Sequence, residues 1–394
     1  MNSVLKNYAS TLAMLAGVVA GGLAGALLPA LSPYLKPFGD IFLNLLFVLV
    51  IPMVFCSITL SFCRLRSGGR LGALLLRTGM VFGLIWLLYG SAAYLTVLLS
   101  GPLSSAGLSV ADAVLPAQRR ADALVSAFSV PDFPQLFSKY SILPLMIFSA
   151  LFGAGISAAG QKGAPMAKAL EAGNESVMRA MDFLMKAAPV GLGCYFADSV
   201  ASIGPDVLGG YLKVFVLYCL LALLLFAVVN PALVMFARGK SVLGPFWRHI
   251  IPPSLTALAT ASSSVAMPGN IEAARRIGAD ESVAGAVVPL STNLLKAGSV
   301  AGAVLKVAFL MAFCGLGVPT PACIGIAVLA AVVSGAVANG GVTGDLLICS
   351  LVGVEPSMVG VVMIIGTIID IPATLLNSQT NVVAALLADK YASK

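Results

Sequence analysis

The sequence predicts an all-α membrane protein with eight transmembrane helices and two re-entrant helical hairpins. Three observations carry that prediction. Hydrophobic residues make up 59% of the chain and charged residues only 10%, with a mean hydropathy of +1.01, whereas soluble domains carry about a quarter charged residues. Apolar stretches of span length recur throughout the 394 residues, enough for about eight spans of ~20 residues. Two further apolar stretches are interrupted near their middles by small and polar residues.

The expected spans are 11–32, 39–63, 75–100, 141–160, 166–203, 207–237, 281–314 and 357–388. The first follows Lys6 and resembles a signal peptide, but it is long for an h-region and further spans follow it. The interrupted stretches are 244–278, broken at TASSSVAMPGN, and 319–355, broken at SGAVANGGVTGD. Unwound backbone survives in a membrane only where protein buries it or where it lines a cavity. Each stretch therefore reads as a hairpin whose tip reaches the bilayer midplane.

Charge fixes the orientation. Arg64, Arg66, Arg70 and Arg77, then Lys162, Lys168 and Arg179, then Arg238, Lys240 and Arg248, then Arg275 and Arg276, and finally Lys390 and Lys394 all fall on one side. With both termini inside, that side is cytoplasmic, as the positive-inside rule requires. Arg119, Arg120 and Lys139 fall outside, in a longer loop where the rule is weak. The net charge of +7 is thus spread as topology signals. It forms no basic stripe, so no nucleic-acid partner is expected. The cysteines at 56, 63, 194, 219, 314, 323 and 349 are scattered singly, and His249 is the one histidine. Zinc sites and histidine triads are poor readings, and no cofactor is expected.

Lys296 is the most informative residue. It lies deep in PLSTNLLKAGSVAGAVLKVAFLMAF, residues 289–313, where a lone ammonium costs several kcal/mol without an anion, carbonyls or water. Three roles are open to it: a fixed cation in place of a bound metal ion, a group that loses its proton during transport, or a direct contact to a substrate carboxylate. Ser262, Ser263 and Ser264 at the first hairpin tip stand near a half-helix N-terminus and suit a carboxylate; alternatively they form a serine-rich loop facing water. At the second tip Gly340, Gly341 and Thr343 suit a lid over the site; alternatively the small residues serve helix packing. Asp370, Thr374, Asn377 and Asn381 share one helix face, with Pro372 and the NSQTN run expected to weaken the helix. An intramembrane aspartate beside uncharged donors suits an ammonium ligand or a cation; alternatively Asp370 pairs with Lys296. Two broken hairpins, each followed by a long helix, match the inverted repeat of a secondary transporter.

With these residues in place, the chain resembles the dicarboxylate/amino acid:cation symporters, the glutamate transporter homologues, over nearly its whole length. IFLNLLFVLVIPMVFCSI (41–58) resembles that family's second helix, and ILPLMIFSALFGAGI (142–156) and APVGLGCYFA (188–197) its fourth and fifth. TASSSVAMPGNIEAARRIG (260–278) resembles the serine-rich first hairpin. VPLSTNLLKAGS (288–299) falls on the seventh helix, and DIPATLLNSQTNVVAAL (370–386) on the substrate-reading eighth. The D-x-x-x-T-x-L-N-S-x-T run is nearest to the serine/threonine symporters of the family.

The resemblance implies a homotrimer in a lipid bilayer, in which each protomer has a fixed scaffold and a transport domain that moves as an elevator. Scaffold helices one and two would fill 1–74, transport-domain helix three 75–100, scaffold helices four and five 101–205, and the rest of the transport domain 206–394. It also implies substrate contacts at Ser262, Ser263, Ser264, Ser299, Gly340, Gly341, Thr343, Asp370, Thr374 and Asn377. Asp370 would hold the α-amino group. The family's substrate-gripping arginine is replaced by Ala373, which disfavours an acidic side chain. The Asn-Met-Asp-Gly motif reads Leu295-Lys296-Ala297-Gly298, the late aspartate reads Asn381, and the polar cluster of helix three is replaced around Trp86–Gly90.

The expectation is a sodium-independent carrier for a small neutral amino acid, in an inner membrane, with Lys296 replacing a cation. The alternative is a sodium- or proton-coupled symporter of glutamate, dicarboxylates or serine/threonine. An intramembrane enzyme lacks a nucleophile–base pair, and a channel lacks a charged filter ring.

Overall fold

The computed structural model describes residues 2–64, 69–103, 129–138, 141–203, 206–336 and 341–392. Arg66, Arg119, Arg120, Lys139, Gly340 and Lys394 lie outside them. All regular elements among the described residues are helical. Apolar side chains run around most of the helix surfaces, on faces packed within the protein and on faces left exposed alike, and the backbone satisfies its own hydrogen bonds.

Helices α1 (Asn2–Leu27), α2 (Ser32–Arg64), α4 (Ile142–Ala158), α5 (Ala164–Lys186) and α6 (Ala188–Ile203) pack mainly on one another. Gly17, Gly21 and Gly25 form one stripe of α1 pressed on the α6 backbone. A Cβ at these positions would lie 2.1 Å from the Pro189 oxygen, 2.0 Å from that of Gly193 and 2.3 Å from that of Ala197. Small residues at this spacing let two helices approach closely in an apolar medium. Ser32 Oγ donates to Asp198 at 2.6 Å, fastening the start of α2 to α6.

The second group holds α3 (Gly69–Ser100), α7 (Asp206–Leu224), a π-helical turn (Leu225–Val229), α8 (Asn230–Arg238), α9 (Leu243–Thr260), α10 (Met267–Ile277), α11 (Glu281–Leu294), α12 (Ala297–Phe313), α13 (Ala322–Ala336), α14 (Gly341–Val352) and α15 (Val359–Ala392). One residue after the π turn comes Pro231, which has no N–H for the helical ladder. α15 touches α9 to α12, α14 and α3, and its C-terminal half is buried almost continuously from Leu376 to Ala388. Arg238 pairs with Asp389, joining the ends of α8 and α15.

Among the described residues, five stretches are long and apolar enough to cross a membrane: 29–60, 76–100, 208–238, 281–313 and 356–391. Shorter apolar helices occupy 16–27, 144–158, 322–335 and 341–352. The expected single span at 166–203 is two helices parting at Ala187. The first is amphipathic, with Lys168, Glu171, Glu175, Arg179 and Asp182 on it, and Arg179 pairs with Glu175. Charges at that density define a water-facing stripe rather than a lipid-facing cylinder. The expected weakening at Pro372 is also absent, since α15 runs unbroken through it. Neighbouring helices on several sides hold it straight.

Both interrupted stretches are helix–break–helix. α9 and α10 part at residues 261–266, with Ala261 left-handed at φ 48°. α13 ends at Ala336 and α14 begins at Gly341, and residues 337–340 lie outside the described residues. The arms have 18, 11, 15 and 12 residues. At 1.5 Å per residue none exceeds about 27 Å, short of the ~30 Å hydrocarbon core.

Candidate functional site

The break between α11 and α12 organises the site. Lys296 takes left-handed backbone angles, φ 39° and ψ 43°, a conformation costly for a residue with a Cβ and commonest at functional positions. The lysine expected inside a span therefore stands at a helix discontinuity. Its Cγ lies against hairpin arm α13, 3.3 Å from a Cβ built at Gly335, where the Asn293 oxygen is only 2.0 Å away. On the other side Gly298 meets α15: a Cβ there would sit 2.5 Å from the Ala373 oxygen and 2.9 Å from Leu376 Cβ. Glycines at these two contacts bring three backbones together at the break.

Side chains from other helices bond backbone carbonyls at the break and just beyond it. The Trp86 indole N–H donates to the Leu295 oxygen at 2.5 Å. The Tyr218 hydroxyl donates to the Gly298 oxygen at 2.8 Å. Leu295 and Ala297 themselves are fully buried and bring no oxygen-bearing side chain.

The polar residues of α15 each bond a different neighbour. Asn377 and Ser299 pair reciprocally: Asn377 Nδ2 donates to Ser299 Oγ at 3.1 Å, and Ser299 N donates to Asn377 Oδ1 at 3.3 Å. Asn270 Nδ2 donates to Ser378 Oγ at 3.0 Å, tying α10 to α15. Asn230 Nδ2 donates to Gln379 Oε1 at 2.5 Å and its Oδ1 accepts from Tyr89 at 2.7 Å. Asn381 Nδ2 donates to Thr292 Oγ1 at 2.9 Å, while its buried Oδ1 has no partner among the described residues. Buried amides left half-satisfied in an apolar interior are costly, so networks of this kind fix one arrangement of helices.

Asp370 on α15 is exposed to solvent. It forms no ion pair with Lys296 within 4 Å among the described residues. Thr374 is buried one turn along from Asp370. At the first hairpin Ser263 is buried, Ser264 exposed and Ser262 half-buried, its Oγ accepting from Val265 N at 3.4 Å. Among the described residues no hydrogen bond links these serines to α15. Thr343 is buried, with no partner for its hydroxyl among the described residues, and Gly341 is exposed at the start of α14.

The fold thus gathers Lys296, Ser299 and Asn377 at the junction of α12 with α15, and the Asn381–Thr292 bond ties α11 to α15 nearby. A buried ion pair, Lys306 to Asp345 at 2.7 Å, belongs to the same interior. It was readable as a second lysine in the apolar run holding Lys296 and an aspartate just past the second hairpin tip. Trp86 and Tyr218 carried no comparable signal, because an aromatic in an apolar helix reads as packing.

Broken helices meeting at charged and amide side chains in an apolar helical protein define a membrane carrier. The chain belongs to the sodium:dicarboxylate symporter family, whose family model matches residues 11–391. It is 28% identical over 272 residues to the C4-dicarboxylate transport protein of Azorhizobium caulinodans, covering 64% of this chain and 58% of that protein. It is 26% identical over 371 residues to the proton/sodium-glutamate symport protein of Geobacillus stearothermophilus, covering 90% of this chain and 86% of that protein. The matched part of the chain thus spans less than two thirds of the C4-dicarboxylate relative.

Proposed function

We propose that the chain carries a small neutral amino acid across an inner membrane without sodium, with Lys296 standing in for a coupling cation. The observation that carries this reading is the occupied break. The Leu295 carbonyl is held by Trp86, Leu295 and Ala297 offer no side-chain oxygen, and the residue between them in the chain is a lysine. A sodium ion needs several free oxygens and is repelled by a nearby cation. Asp370 receives the substrate ammonium, and Ser263, Ser264 and the exposed backbone of the first hairpin receive the carboxylate. Ser299 and Asn377 orient it, and Ala373 leaves room for a small uncharged side chain.

In this reading the second hairpin is the lid, with Gly340, Gly341 and Thr343 at its tip. The α3 and α7–α15 helices move as the transport domain against α1, α2 and α4–α6. Three copies assemble, each with both termini in the cytoplasm. Uptake of labelled serine into proteoliposomes in sodium-free buffer tests it: saturable uptake lost in Asp370→Ala supports the reading, and strict sodium dependence refutes it.

The second reading is cation-coupled transport of glutamate or a C4-dicarboxylate. One observation favours it: the buried Asn381 oxygen without a partner is available to a cation. The names of the relatives above point the same way. Competition by succinate or glutamate in place of serine distinguishes the two.

A further inference from the structure

The Lys306–Asp345 pair lies outside the residues assigned above to substrate. The ammonium and carboxylate are 2.7 Å apart, and their side chains are 13% and 6% exposed. Lys306 is on α12 beyond Lys296, and Asp345 is on hairpin arm α14. The ammonium rests over Gly366 of α15, where a Cβ would lie 2.9 Å from Nζ and 3.7 Å from the second Asp345 oxygen. Gly366 is one helical turn before Asp370 and shares its face.

Lys296, Asp370, Lys306 and Asp345 therefore bring two positive and two negative side chains to α12, α14, α15 and the break before α12, so their formal charges cancel. A charge this enclosed needs an opposite one. As long as Asp345 holds Lys306, the site offers the Asp370 carboxylate to a substrate ammonium and the first hairpin to one substrate carboxylate, with Lys306 withheld from any second one. That pattern complements a zwitterion. A second carboxylate on the substrate would enter without a cation.

We propose that Asp345 is a specificity-determining residue: by occupying Lys306 it withholds a second cation from the substrate cavity and so excludes acidic substrates in favour of zwitterionic amino acids. This rests on the neutral-substrate reading above. Asp345 acts through Lys306 and is a positioning residue rather than a substrate contact.

The test uses the full chain in lipid nanodiscs, with labelled serine displaced by serine, aspartate, succinate and lysine. In Asp345→Asn the affinity of aspartate and succinate relative to serine rises about tenfold or more, the effect of one additional enclosed charge–charge contact. The double variant Asp345→Asn with Lys306→Gln returns the ratio to that of the wild type. Lys306→Gln alone bares the carboxylate and shifts selectivity toward lysine, which keeps the proposal testable even if Asp345→Asn fails to fold. Folded single variants with unchanged ratios overturn the assignment of Asp345, as does a double variant that keeps the acidic preference. A wild-type protein that does not prefer serine overturns the neutral-substrate reading on which the assignment rests.

Discussion

Replacing Trp86 by Phe removes the hydrogen bond that closes the helix break. The indole N–H is 2.5 Å from the Leu295 oxygen, and Leu295 is fully buried. Leaving a buried carbonyl without a donor costs about 1–3 kcal/mol. Shrinking the ring adds roughly another 1 kcal/mol of lost packing. The second tryptophan supplies the control. Trp247 is also half-buried, packs against Phe246 and Phe226, and lies away from the break. Trp247→Phe therefore carries the packing loss alone. Thermal unfolding in detergent measures both variants. Trp86→Phe should lose about 1–3 kcal/mol more than Trp247→Phe, a further fall in Tm of roughly 1–5 °C for a chain of this size. Equal losses would refute the claim that Trp86 secures the Leu295 carbonyl. Trp247→Phe also leaves Trp86 as the sole tryptophan, and its emission should change on substrate addition.

Asp370→Asn keeps the side-chain shape but removes the charge, so calorimetry should show serine affinity falling by about ten- to a hundred-fold, the worth of a charge-assisted bond. Ser299→Ala and Asn377→Ala break one reciprocal pair. Their double-mutant cycle in substrate binding should show a coupling of about 0.5–3 kcal/mol rather than additivity. Gly298→Ala forces a Cβ to 2.5 Å from the Ala373 oxygen, and backbone cannot yield as a side chain would. Unfolding measurements should register about 1–3 kcal/mol of overpacking, together with loss of serine binding.

Much of the fold was legible because an apolar medium enforces a simple grammar. Helices must be long, apolar and internally bonded, so the interruptions at TASSSVAMPGN and SGAVANGGVTGD stood out as breaks. Lys296 and Asp370 were legible for the same reason, being charges where charge is costly. The division of 166–203 into an amphipathic helix and a short apolar one was not, because the connection carries enough alanine and methionine to pass for a span. The aromatic donors Trp86 and Tyr218 were hidden for a different reason. Their polar atoms matter only once tertiary packing aims them at particular carbonyls. The same holds for Asn270 and Asn230, which bond α15 across gaps of 108 and 149 residues. Lys306 and Asp345 were visible singly, but their pairing depends on how α12 meets the second hairpin.

Exchange of labelled serine across proteoliposomes, with sodium replaced by choline on both sides, probes the role given to Lys296 most directly. The account predicts saturable exchange at the same rate with or without sodium. Exchange that vanishes in choline and returns in proportion to added sodium would contradict it.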